Sequence, residues 1–302
     1  MGALTLTAVL GGLLLLFAWA AGWRRRRLLA AVETVTLPLA SAALGNTRDV
    51  VIYLPPGYRQ SDRRYPVLYL NDGQEREALG LRQALAGLTI AGRIQSLIAV
   101  AIPTNDDRLR EYGTSVAASS RGLGARAAAY RHFVTQELMP RIDAGFRTRP
   151  EAAFLGMSLG GLSAFDIAWH CPERFRGVGA MSGSFWWRAA EDETAIDPGR
   201  RIAHSLVRRG PPRPELRYWF QAGTRDEVCD RDGNGVIDAI QDTLELIDEL
   251  RRATTPPVDI RYIEIDGGRH DYLTWAKVLP EFLMWEFGPK RENKNFTGSS
   301  DR

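Results

Sequence analysis

Gly156-Met157-Ser158-Leu159-Gly160 follows an apolar run and leads straight into a helical pattern. A serine between two glycines at such a junction has the form of a nucleophile elbow. The glycines let strand and helix pass closely, and the hydroxyl is pushed out at the strand's end. A serine hydroxyl needs a general base, and the base needs a carboxylate to fix its tautomer. The chain has four histidines. His132 falls in a helical pattern before the serine, His170 ends the helix after it, and His204 lies in a variable insert; all three read as surface or packing residues. His270 stands instead in Asp266-Gly267-Gly268-Arg269-His270-Asp271, a glycine-rich loop after the last β-rich run. Open parallel sheets gather ligands at the carboxyl ends of their strands, so His270 is the candidate base. The acid is expected between the two, where Leu216–Gln221 runs into Ala222-Gly223-Thr224-Arg225-Asp226-Glu227. Asp226 is the first candidate and Glu227 the alternative, while Asp271 reads as a solvent-facing or supporting group.

Acyl chemistry also needs two backbone N–H groups aimed at the developing oxyanion. One is expected from Leu159, which follows the serine. The other should come from the loop Asn71-Asp72-Gly73-Gln74, which follows the apolar run Pro66–Asn71.

The elements that position these groups are short β-rich runs alternating with helical patterns, which implies an α/β fold with a mostly parallel sheet and helices on both faces. Expected strands are Glu33–Leu39, Arg48–Leu54, Pro66–Asn71, Ser96–Ile102, Ala152–Met157, Phe175–Met181, Leu216–Gln221 and Ile260–Ile265. Expected helices are Leu79–Leu88, Ala127–Ile142, Leu159–His170, Val236–Arg251 and Tyr272–Phe287, with a short helical run after Pro198. Two longer segments, Pro103–Gly124 and Gly183–Pro212, are expected to shape the pocket.

Taken together, YPVLYLNDGQ at Tyr65–Gln74, REY at Arg110–Tyr112, GMSLGG at Gly156–Gly161, GTRDE at Gly223–Glu227 and GGRHDYLTW at Gly267–Trp275 resemble a known family. It is the esterase D-type branch of the α/β-hydrolases, with its enterochelin-esterase-like, feruloyl-esterase-like and antigen 85-like members. The resemblance spans roughly residues 33–288. It implies the α/β-hydrolase fold with about eight strands, Ser158 as nucleophile, Asp226 as acid and His270 as base. It also implies that the N–H groups of Gln74 and Leu159 form the oxyanion hole, and that Tyr112, Trp186 and Trp187 border the substrate, core packing being the other reading for the tryptophans. The expected activity is hydrolysis of a small-molecule or lipid-like carboxylic ester with no cofactor in the chemistry. The alternatives are acyl transfer to a lipid or sugar alcohol, and a non-catalytic binding protein on the same fold.

Residues 3–21 carry no charged side chain and are followed by Trp23 and the consecutive arginines Arg24 to Arg27. That pattern reads as a membrane anchor over residues 1–30, with the hydrolase domain (residues 31–288) on the cytoplasmic face and a flexible tail over 289–302. A cleaved secretory signal, giving a secreted or periplasmic enzyme, is the alternative. Set against 36 acidic residues, the other 35 basic ones leave a charge of −1, so no nucleic-acid partner is expected. The two cysteines, Cys171 and Cys229, exclude a disulfide framework.

Asp230, Asp232, Asn234, Gly235, Val236 and Asp238 match positions 1, 3, 5, 6, 7 and 9 of a calcium loop. Position 12 is the neutral Gln241, and no helix is expected ahead of the loop. A calcium sensor is excluded on that ground. A structural calcium ion at Asp230, Asp232, Asn234, Val236 and Asp238 and a metal-free turn both fit.

Overall fold

The computed structural model describes residues 29–118, 122–188, 201–255 and 257–289. Its eight strands are β1 (Glu33–Ser41), β2 (Asn46–Leu54), β3 (Tyr65–Leu70), β4 (Ile98–Ala101), β5 (Thr148–Met157), β6 (Gly177–Met181), β7 (Arg217–Arg225) and β8 (Ile260–Arg269). They form one sheet in the order β1-β2-β4-β3-β5-β6-β7-β8. β2 pairs antiparallel with β1 and β4, and every other neighbouring pair is parallel. This is the expected α/β-hydrolase architecture.

Burial explains the strand sequences. Pro66 to Leu70 and Ile98 to Ala101 are uninterrupted apolar runs because both faces of the sheet are covered there. Along the edge strand β1, half-buried and exposed residues alternate, as expected where one face meets solvent. Successive side chains of a central strand point to opposite faces. Tyr69 and Phe154 therefore enter one core, with Leu162 and Phe165 of the Leu159–His170 helix and Leu246 and Leu250 of the Asp238–Ala253 helix. Leu68, Leu70 and Leu155 enter the other, with Leu85 of the Leu81–Ile90 helix and Leu279 and Phe282 of the Tyr272–Phe287 helix. Each such buried side chain stabilises by about 1.5–3 kcal/mol.

The strand order reverses between β3 and β5. The loops after these two strands carry the expected oxyanion residues and Ser158, so both open into the crevice where such sheets bind ligands.

One helix and two paired strands differ from their sequence patterns. The helix expected over Ala127–Ile142 is α-helical at Ala127–His132 and Met139–Gly145, with a π-helical stretch, Phe133–Leu138, between. Pro140 has no N–H to give the preceding turn, which accounts for the interruption. β7 and β8 run to Arg225 and Arg269, past the glycines where their patterns ended. They stay paired there as far as Arg225 opposite Arg269, with a register shift after Gly223. A side chain at Gly223 would place its Cβ 2.4 Å from the Gly268 carbonyl oxygen, so the glycines permit the pairing.

The segment after β4 contains a one-turn helix, Arg108–Glu111. It is fastened to the sheet by a fully buried ion pair between Glu111 and Arg48 of β2, whose Nη1 also donates to the Pro103 carbonyl at 3.1 Å.

The expectation of a membrane-anchored enzyme is corrected. Among the described residues no helix is long and apolar enough to cross a membrane. The membrane partner and the anchored location are withdrawn with it, and the apolar run 3–21 lies outside the described residues, as does the tail from residue 290.

Candidate active site

Ser158 sits between β5 and the Leu159–His170 helix with φ 54° and ψ −125°, a conformation few side-chain-bearing residues adopt. Four hydrogen bonds hold it. Its N–H donates to the Met181 carbonyl at 2.9 Å, and its own carbonyl accepts from the N–H groups of Gly161 at 3.0 Å, Ser184 at 3.1 Å and Leu162 at 3.3 Å. A Cβ at Gly156 would lie 2.1 Å from the Gly160 carbonyl oxygen, so strand and helix cross where only glycine fits. Among the described residues, the non-glycine residues with positive φ are Asp72, Ser158 and Ser182, which follow β3, β5 and β6 in turn. Backbone strain is thus concentrated at the carboxyl end of the sheet, around the serine.

Asp226 and His270 each follow the last residue of their strand, and those last residues, Arg225 and Arg269, are register partners. The acid and base candidates therefore leave the sheet side by side. Asp226 Oδ2 accepts the Gly223 N–H at 2.9 Å, while Oδ1 is buried and has no hydrogen-bond partner, a vacant acceptor facing its surroundings. His270 is open to solvent on one side, yet crowding by protein is the largest influence on it and holds its pKa below the ordinary histidine value. The Asp226 charge opposes that shift and the Arg108 charge adds to it. Glu227 lies toward the start of the following helix, where burial raises its pKa and the nearby Ala239 N–H opposes that shift. Asp271 caps the Tyr272–Phe287 helix through the Thr274 N–H at 2.8 Å. No hydrogen bond joins Ser158, His270 and Asp226 among the described residues. Such contacts often close only around a substrate.

The loop after β3 is tied on every side. Asn71 Nδ2 donates to the Gly160 carbonyl at 2.8 Å, and its Oδ1 accepts from Tyr130 at 2.7 Å. The Asp72 N–H donates to the Tyr112 hydroxyl at 2.9 Å, and the Asp72 carboxylate, 1% exposed, accepts from Arg108 Nε at 2.6 Å and Nη2 at 2.8 Å. Gln74 closes the loop, its side chain accepting the Thr104 N–H at 3.0 Å. The N–H groups of Gln74 and Leu159 themselves have no partner among the described residues.

Of the three residues expected to border the substrate, only Trp186 is exposed, at 46%. Tyr112 is wholly buried beneath Asp72, edge-on to Tyr130 with centroids 5.2 Å apart. Trp187 is buried against Gly113 and Gly124. Both hold the wall of the site from behind. Three residues that were not singled out from the sequence are also here: Arg108 in the segment after β4, Ser182 just after β6, and Trp275, which ends the GGRHDYLTW motif.

In the calcium-like loop, Asp230 accepts the N–H groups of Asn234 at 3.2 Å and Gly235 at 2.9 Å, and Asn234 Oδ1 accepts that of Val236 at 2.8 Å. Gln241 donates to Asp232 at 2.9 Å and accepts from Asn234 Nδ2 at 2.9 Å. Asp238 Oδ1 takes the Arg231 N–H at 3.1 Å. The expected ligand side chains thus serve the turn itself. Among the described residues no three His, Cys, Asp or Glu side chains are grouped to hold a metal ion.

Comparison with known proteins gives the family. The family model described as "Putative esterase" matches residues 41–285. The chain belongs to this esterase family. Membership carries serine hydrolase chemistry on a Ser-Asp-His triad. The esterase is 27% identical over 260 residues to an uncharacterised protein, YbbA, of Bacillus subtilis, covering 84% of this chain and 97% of that one. It is 31% identical over 265 residues to the iron(III) enterobactin esterase of Dickeya dadantii, covering 84% of this chain but 55% of the other. The esterase therefore spans about half the length of that relative. Among solved structures, the enterobactin esterase of Shigella flexneri shares its fold, with a TM-score of 0.67 at 22% identity over 83% of this chain and 58% of that one.

Proposed function

We propose that this esterase cleaves carboxylic esters through an acyl-enzyme on Ser158, with His270 as general base and Asp226 as its orienting acid. The observation that carries the assignment is the pairing of Arg225 with Arg269, which sets Asp226 and His270 on neighbouring strand ends, at the same carboxyl end of the sheet at which Ser158 follows β5. His270 takes the hydroxyl proton as Ser158 Oγ bonds to the ester carbonyl carbon, and the carbonyl electrons move onto oxygen. The unpaired N–H groups of Gln74 and Leu159 receive that oxyanion. As it collapses, the ester C–O bond breaks and the alcohol leaves with the proton from His270. Water, deprotonated by His270, then attacks the acyl carbon; the bond to Ser158 Oγ breaks, the serine takes the proton back from His270, and the acid is released. Asp226 Oδ1, buried and unpartnered, is the acceptor for the imidazolium N–H formed in each half-reaction. The exposed Trp186 supplies an apolar contact for the substrate.

Steady-state hydrolysis of an aryl ester, together with fluorophosphonate labelling, tests the assignment. Ser158→Ala should lose about 10⁴-fold or more in kcat and all labelling while keeping its thermal transition. Full activity in that variant would overturn it.

A further inference from the structure

The geometry points to Arg108 as the residue that makes the oxyanion hole electrostatically competent, by positioning and neutralising the carboxylate of Asp72. The inference rests on the reading of Gln74 and Leu159 as oxyanion donors, and it concerns a charge placed between them. Asp72 lies two residues before Gln74. On its other side the carboxylate presses on the nucleophile helix, where a Cβ at Gly160, the residue after Leu159, would lie 2.8 Å from Asp72 Oδ2. A buried anion thus stands against both segments that must accept a second negative charge in the transition state. Left alone it would oppose the oxyanion, because charges in a poorly solvated site are weakly screened.

Arg108 cancels it. Two guanidinium nitrogens bind the two carboxylate oxygens, a fork that fixes orientation as well as charge. The guanidinium also stacks over the Tyr112 ring at 5.1 Å, and the Tyr112 hydroxyl accepts the Asp72 N–H. Arg108 therefore holds both the charge and the φ of 55° from which the Gln74 N–H is aimed. It acts through Asp72, so it is a positioning residue.

Mere structural support and charge cancellation make different predictions for the double variant. Arg108→Gln leaves the Asp72 carboxylate uncompensated and should lower kcat by about 10²-fold, the scale of a lost oxyanion donor, with KM little changed. Adding Asp72→Asn removes the stranded charge while keeping a residue that tolerates this backbone, and should recover at least tenfold of the loss. A second readout is the acid limb of kcat/KM. The charges acting on His270 are Asp226, Arg108 and Asp271, and loss of Arg108 removes the one that lowers its pKa, so the limb should move to higher pH. Arg108→Lys keeps the cation without the fork and should lie between wild type and Arg108→Gln; it is read in place of Arg108→Gln if that variant does not fold, and wild-type kcat in it overturns the inference. A double variant no faster than Arg108→Gln, or an unmoved acid limb, also overturns it. Ser158→Ala and fluorophosphonate labelling are run in parallel. If they fail, the esterase assignment itself is wrong; if they succeed while the Arg108 series is flat, only the present inference falls.

Discussion

Trp275 and His270 meet edge to face, their ring centroids 5.1 Å apart and their planes at 79°. The same indole donates its N–H to Ser182 Oγ at 2.9 Å, and Ser182 in turn gives its N–H to the Gln221 carbonyl at 2.7 Å. Since the Ser158 N–H is bound to Met181, the residue before Ser182, the proposed nucleophile and base are both referred to the end of β6. Ser182→Ala strands a buried indole N–H, which costs about 1–3 kcal/mol of stability, and frees the ring that backs His270. kcat should fall about tenfold with KM nearly unchanged, the equivalent of roughly 1.4 kcal/mol. An unchanged kcat in the folded variant would show that Trp275 needs no anchor.

The pH profile follows from the state of His270. Only the neutral imidazole is a base, so activity is lost as pH falls through its pKa. Crowding holds that pKa below the ordinary 6.5, which places the acid limb of kcat/KM below that of a free histidine. The Asp226 charge works in the opposite direction. Asp226→Asn should therefore move the limb to still lower pH while lowering the plateau by about 10⁴-fold. A limb displaced upward in Asp226→Asn would contradict the assignment of Asp226 over Glu227.

Glu286, in the last turn of the closing helix, is buried, and burial pushes its carboxyl up to about 7 against the pull of Arg217, whose Nη1 is 3.0 Å from Oε2. The folded state thus retains a proton that the unfolded chain releases near 4.5. Its contribution is present in full below the unfolded pKa and is lost as pH rises through about 7, a change on the order of 3 kcal/mol at most. Glu286→Gln should flatten the fall in urea-unfolding free energy between about pH 5 and 8. The same slope in wild type and variant would mean that Glu286 ionises freely.

Gln241 bridges Asp232 and Asn234, and its Nε2 also reaches Glu245 Oε1 at 3.1 Å. Gln241→Glu replaces that donor with a carboxylate facing two others and supplies the charge that position 12 of a calcium loop requires. Without calcium the variant should melt lower than wild type. In millimolar calcium it should recover and gain more than wild type does. Equal responses of the two proteins would show that the loop oxygens cannot converge on an ion.

The legible part of this chain is the part governed by local rules. The glycine-flanked Ser158, the closing helix at Tyr272–Phe287 and the buried runs of β3 and β4 follow from periodicity, turn chemistry and burial. The ends of β7 and β8 do not, because each is stabilised by the other, and glycine in isolation signals a stop. Tyr112 and Trp187 show the same limit from the other side. The resemblance implied that they border the substrate, but whether an aromatic ring faces a ligand or the core depends on what packs against it, here Asp72 above Tyr112 and Gly113 and Gly124 against Trp187. Arg108 was unreadable as a partner of Asp72, since 36 residues separate them and only the fold makes them a pair.

The ion pair of Arg48 with Glu111 bears on where Arg108 stands. Removing either partner would strand a buried charge, at a cost of about 3–5 kcal/mol, so the one-turn helix that carries Arg108 is riveted to β2. The sheet thus reaches Asp72 by a second route, through β2 and a guanidinium as well as through β3 itself.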